Sequence, residues 1–174
     1  MKIRFRPTLL ALTSTILLGA CQTNPADDAV AAMSACEKIN ALITQHRSGF
    51  DQIRKNPRPG NRMTVWDARY QMIGNNCQVW DWGNNHSSYM CNLSFPDQES
   101  AVEVYNKGKQ TAAECLGSSW QQTEQPRKLG NGTRVVYSKA GSDTVLSVHA
   151  IETKGVFREE WTVYYFVGNP NDGL

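Results

Sequence analysis

Two cysteines, Cys77 and Cys91, bracket the part of the chain that most restricts how it can fold. The run Cys77-Gln78-Val79-Trp80-Asp81-Trp82 and the run Ser88-Tyr89-Met90-Cys91-Asn92-Leu93-Ser94-Phe95 flank Gly83-Asn84-Asn85. Residues that tolerate positive φ, set between two strand-like runs, predict a β-hairpin. Tyr89, Cys91, Leu93 and Phe95 alternate along the second run, so they share one face, and their apolar character makes it the core face. A turn centred on Asn84 sets Cys77 opposite Cys91 on that face. It also sends Trp80 and Trp82 to the other face, across from Ser88 and His86. A slip of one residue reverses every one of these assignments.

The remaining cysteines are read through the N-terminus. A basic start (Lys2, Arg4, Arg6) precedes an apolar run from Leu9 to Leu18 that ends in Gly19, Ala20 and Cys21. A positive n-region, a short apolar stretch and small residues before a cut describe a secretory signal peptide. The stretch is too short for a transmembrane helix, which needs about 20 residues. Leu18-Gly19-Ala20-Cys21 resembles the lipobox of bacterial lipoproteins. The resemblance covers the first 21 residues only. It implies cleavage before Cys21, a diacylglycerol thioether on its sulfur and an acyl chain on the freed amine. It further implies that Gln22, which is not the aspartate associated with inner-membrane retention, sends the protein to the periplasmic face of the outer membrane.

With Cys21 assigned to lipid, an even set of four remains: Cys36, Cys77, Cys91 and Cys115. In an exported chain an even set favours two disulfides. A hairpin staple Cys77–Cys91 with a helix clamp Cys36–Cys115 is preferred, because the hairpin register supports it independently. Helix-to-strand bridges remain the alternative. Zinc is the poorer explanation, since the chain has no C-x-x-C pair and only three histidines.

Loss of the signal also changes the charge. The full chain has 18 Lys+Arg against 16 Asp+Glu; without Lys2, Arg4 and Arg6 the mature form has 15 against 16. No net positive field is left to recruit nucleic acid, and no base-stacking motif replaces it. No repeat of 20–50 residues is visible, and the length fits one domain.

Asn24 as N-cap, Pro25 at the first helical position, and Ala29, Ala32, Met33, Cys36, Ile39, Ile43, His46 and Phe50 at helical spacing predict one helix from 24 to about 48. Residues 21–23 then form the whole tether, about 10 Å when extended. Asn56-Pro57-Arg58-Pro59-Gly60-Asn61 reads as a loop, and Met63–Tyr70 has no clean period. A second helix follows Pro96 and Asp97, with Ala101, Val104, Tyr105, Gly108, Ala112, Cys115 and Leu116 as its apolar stripe and Gly117 as its cap. Strands follow at Thr133–Ser138, at Thr144–Ile151 and at Trp161–Val167. In the second, Leu146, Val148 and Ala150 oppose Ser147 and His149, and the third is apolar on both faces. Residues 169–174 read as a frayed tail. The expected fold is α+β: an antiparallel sheet of about five strands with two helices on one face, in the order α-β-β-α-β-β-β, forming one domain over 24–168.

No cofactor and no catalytic motif emerge. Asp81 and His86 are the only clustered acid–base pair, His46 reads as a core-edge residue, and His149 as a solvated one. The hairpin tip, Trp80, Asp81, Trp82, Asn84, Asn85 and His86, has the most unusual composition and is the candidate binding edge, with burial of the two indoles as the competing explanation. The expectation is a lipid-anchored accessory protein that binds an envelope protein or glycan. A cell-wall enzyme using Asp81 and His86, or a purely structural lipoprotein, are the alternatives.

Overall fold

The computed structural model describes residues 25–84, 86–127, 130–154 and 159–170. Helices α1 (Pro25–Ala32) and α2 (Ala35–His46) lead into strands β1 (Arg54–Pro59), β2 (Thr64–Ala68), β3 (Asn76–Gly83) and β4 (His86–Phe95). Helix α3 (Gln98–Leu116) leads into β5 (Gln121–Pro126), β6 (Gly132–Ser138), β7 (Val145–Lys154) and β8 (Glu159–Gly168). All eight strands form one antiparallel sheet in the order β1-β2-β3-β4-β8-β7-β6-β5. From each edge inward the chain therefore runs as a meander, 1-2-3-4 from one side and 5-6-7-8 from the other. Each meander is preceded by a helix. The topology has an approximate two-fold symmetry about the β4–β8 seam.

This corrects the expected sheet of about five strands with two helices: the described residues hold eight strands and three α-helices, and the chain is mostly β. Three strands escaped the pattern. β1 contains Pro57 and Pro59, which normally exclude a strand, but it lies at the sheet edge and is irregular between Arg54 and Pro57, where missing N–H donors cost little. β2 is half-buried along most of its length, so its side chains do not alternate in polarity. β5, Gln-Gln-Thr-Glu-Gln-Pro, is an exposed edge with no apolar face to detect.

The single helix expected over 24–48 is two. The first ends at Ala32 and Ser34 caps the second: its Oγ accepts from Glu37 N at 3.2 Å, and Glu37 Oε2 accepts from Ser34 N at 2.7 Å. That reciprocal pair satisfies two orphan donors and makes a restart cheaper than continuation. Asn24 lies outside the described residues, as do the expected signal peptide, the expected tether and residues 171–174 of the expected tail. α1 is held to the domain by Asp27, which meets Lys55 Nζ at 2.9 Å and Arg69 Nη1 at 2.7 Å.

Helices α2 and α3 pack on one face of the sheet through Ile39, Leu42, Ala101, Tyr105, Ala112 and Leu116. Gly108 brings α3 close to the strands: a Cβ there would lie 2.9 Å from Tyr165 Cε2 and 3.3 Å from Val148 Cγ1. The Tyr165 hydroxyl donates to Gly108 O at 2.8 Å and Tyr137 donates to Lys109 O at 2.6 Å, so two buried phenols tie the helix to the sheet without leaving an orphan donor. Cys36–Cys115 joins the two helices and Cys77–Cys91 staples the hairpin. The staple follows from the register, in which Cys77 stands opposite Cys91.

The opposite face of the central strands is also buried, through Ser88, Met90, Ser147, His149, Thr162 and Phe166. His149, expected to be solvated, is only 1% exposed. It lies mid-strand in β7, with β6 and β8 on either side, so alternation chose its face correctly but polarity misjudged what that face meets.

Candidate functional site

The hairpin tip is built by alternation and by its turn. Trp80 pairs with Ser88, Asp81 with Ser87, and Gly83 with His86 after an irregularity between Asp81 and Gly83. Gly83 (φ 80°) and Asn84 (φ 54°) adopt the left-handed conformation that lets so tight a connection close. Asn85 lies outside the described residues.

Trp80, Trp82 and His86 form an aromatic ladder. The indoles meet edge-on with centroids 6.1 Å apart, and Trp82 lies 5.1 Å from the His86 ring. These separations suit aromatic contact, worth about 0.5–1.5 kcal/mol per pair beyond burial. Trp82 is the exposed large hydrophobic residue among those described, at 36%, while Trp80 is half-buried. The ladder continues into amides. Trp80 Nε1 donates to Gln78 Oε1 at 2.9 Å, Gln78 Nε2 to Asn76 Oδ1 at 3.3 Å, and Asn76 Nδ2 to Asn92 Oδ1 at 3.0 Å. Asn76, Gln78, Trp80 and Trp82 alternate in the sequence, but only the strand register joins the amide half of this set to Asn92.

Asp81 belongs to a different neighbourhood. Its carboxylate takes Arg54 Nη1 at 2.8 Å and the Gly83 N–H at 2.9 Å. Arg54 in turn donates to Gly49 O at 2.8 Å and lies 5.3 Å over the Trp66 ring. Strand alternation thus turns Asp81 toward Arg54, away from the face that carries Trp80, Trp82 and His86. Asp81 is thus engaged by Arg54, while the His86 ring lies against Trp82.

The other histidines stand apart. His46 is buried, with Nδ1 2.8 Å from Thr144 Oγ1 and its ring 5.6 Å from Phe50. His149 Nε2 lies 2.8 Å from Ser147 Oγ, deep in the sheet. Burial, reinforced by the charges of Arg127 and Arg134, lowers its pKa to about 4. Among the described residues no three His, Cys, Asp or Glu side chains converge as a metal site would require, and no helix is long and apolar enough to cross a membrane. Cys21 lies outside the described residues. The four cysteines of the even set are paired in disulfides, so none of them offers a thiolate.

Comparison with protein-family models, with curated proteins and with solved structures found no match in any of the three.

Proposed function

We propose that the chain is a lipid-anchored, non-catalytic binding protein of the bacterial envelope. Cys21 would hold it at the periplasmic face of the outer membrane, and the Trp80–Trp82–His86 edge would meet an envelope protein or glycan. The observation that carries this is the distribution of sulfur. Cys36–Cys115 and Cys77–Cys91 account for four cysteines, and the fifth, Cys21, closes the stretch Leu18-Gly19-Ala20-Cys21 that resembles a lipobox. Disulfides of this kind form and persist in oxidising compartments, in keeping with export. Two or three acyl chains give stable membrane anchoring, where one gives only marginal, reversible binding. α1 begins at Pro25 and is clamped by Asp27 to Lys55 and Arg69, in keeping with a domain seated near the bilayer. The engagement of Asp81 by Arg54 weighs against the Asp81/His86 enzyme.

Intact-mass analysis of the protein extracted from membranes of the producing cell tests the anchor. A diacylglyceryl Cys21 with an acylated amine is expected, and Cys21→Ser should leave the membrane fraction. An unmodified Cys21, or a variant that stays membrane-bound, sinks the proposal. For the binding edge, Trp82→Ala should abolish capture of an envelope protein or glycan by cross-linking while the far-UV spectrum stays unchanged, the lost contacts with Trp80 and His86 costing only a modest drop in melting temperature.

A further inference from the structure

Helix α3 starts at Gln98, and at that end the sheet runs on past its first turn. Asn131 just before β6, Gly132 and Thr133 at its start, Glu152 on β7 and Trp161 on β8 form the overhang, and with Gln98 and Val102 of α3 they enclose a cleft of about 500 Å³. It lies on the helix-bearing face, remote in sequence from the β3–β4 tip.

Its floor is held in place before any ligand arrives. Glu152 and Trp161 are direct cross-strand partners. The Asn131 side-chain amide donates to the Glu152 carboxylate, and the Glu152 N–H donates to Asn131 O at 3.1 Å. Gly132 has φ 139°, and a Cβ there would collide with Ala150 O and lie 2.9 Å from Ile151 Cα. Glycine is required for this approach, which presses the Asn131 turn onto β7. Trp161 is half-buried, with part of its indole packed on the core cluster. Side chains fixed in this way lose little entropy on binding.

The lining chemistry narrows the ligand. An indole offers a flat apolar surface, two carboxamides offer donors and acceptors, and the carboxylate accepts. Among the described residues no Lys, Arg or His lines the cleft, and Glu152 repels anions. The contrast is with the groove beside α2, where Arg47 and Lys139 flank Trp120. A ligand with an apolar C–H face and a rim of hydroxyl or acetamido groups, but no negative charge, fits this set. A pyranose has that form, and the volume is on the order of one or two sugar rings.

We propose that this cleft binds a neutral saccharide, with Trp161 beneath the ring and Glu152, Asn131 and Gln98 reading its polar rim. The proposal is independent of the Cys21 anchor and of the hairpin tip, and either could fail without the other.

The test is a titration of the full-length lipoprotein in detergent with N-acetylglucosamine and its β-1,4-linked dimer, following indole N–H resonances. A saturable shift of Trp161, with a millimolar dissociation constant that tightens for the dimer, is expected. Gln98→Ala, on the exposed first turn, and Glu152→Gln should each weaken binding several-fold while leaving the far-UV spectrum unchanged. Choline and glucuronic acid serve as cationic and anionic controls. The proposal is overturned if Trp161 fails to respond to either sugar, if Trp82 responds in its place, or if choline binds Trp161 more tightly than the dimer.

Discussion

His149 shows how far a single residue departs from its sequence context. Ser147, Phe166 and Thr162 share its face of the sheet, and all are buried. Its imidazole keeps one good hydrogen bond, to Ser147, and its other ring nitrogen, Nδ1, is buried without a partner. The lowered pKa of about 4 carries a definite sign for stability. The unfolded chain takes up a proton near pH 6.5, whereas the folded one resists until about pH 4, so between those values the unfolded state binds more protons. Stability is therefore complete above about pH 6.5 and falls as the pH drops toward 4. The full contribution is about 3 kcal/mol. Urea unfolding at pH 7 and pH 4.5 should reveal the loss, and His149→Gln, which cannot titrate, should flatten it. An unchanged pH slope in the variant would show that other groups dominate. Alternation assigned His149 to the face opposite Leu146, Val148 and Ala150. What alternation could not convey is that a polar strand face becomes interior once the strand is central rather than peripheral.

Helix α3 illustrates at the level of an element why intrinsic preference is a weak guide. Gly108 sits mid-helix, where Ala is normally favoured by about 1 kcal/mol. Here a methyl group would meet the Tyr165 ring at 2.9 Å, and that ring is pinned by its own hydroxyl's bond to Gly108 O. Overpacking of this kind costs about 1–3 kcal/mol, which exceeds the propensity gain. Gly108→Ala should therefore lower the denaturant midpoint, and Gly108→Ala combined with Tyr165→Phe should recover part of the loss. A more stable single variant would mean that α3 can lift off the sheet at little cost. Gly108 was legible as part of the apolar stripe, but not as the point of closest approach, because that depends on a tyrosine far along the chain. The break between α1 and α2 was legible and was missed. Ser34-Ala35-Cys36-Glu37 has the S-x-x-E form of a capping box, and continuous apolar spacing hid it. β1 and β5 were hidden by the opposite effect, since an edge strand needs neither an apolar face nor a full ladder.

At the scale of the whole molecule the two helix-plus-meander halves meet at the β4–β8 seam, seven residue pairs from Tyr89 opposite Val167 to Phe95 opposite Trp161. The topological symmetry was not legible because it does not need repeated sequence: α2 has 12 residues and α3 has 19, and the turns differ. What the halves share is the order of elements. The halves are joined by the seam, by the α2–α3 contact with its Cys36–Cys115 bridge, by packing of α2 on β8 and of α3 on β4, by the His46–Thr144 hydrogen bond and by the Pro96–Asp97 connection. The bridge spans 79 residues of sequence, a separation for which loop-closure entropy gives about 4–5 kcal/mol. The covalent connection at Pro96–Asp97 is then redundant in the oxidised protein, because the disulfide already keeps the halves at high effective concentration. A chain cleaved at that connection should keep its far-UV spectrum and unfold with a midpoint independent of protein concentration. The same cleavage in a Cys36→Ser/Cys115→Ser background makes folding bimolecular, so the midpoint should rise with concentration. If the cleaved, oxidised protein loses its spectrum, the peptide link is holding the seam together and the disulfide is not. If the cleaved double variant still melts independently of concentration, one half folds alone and the seam is a docking contact rather than a shared core.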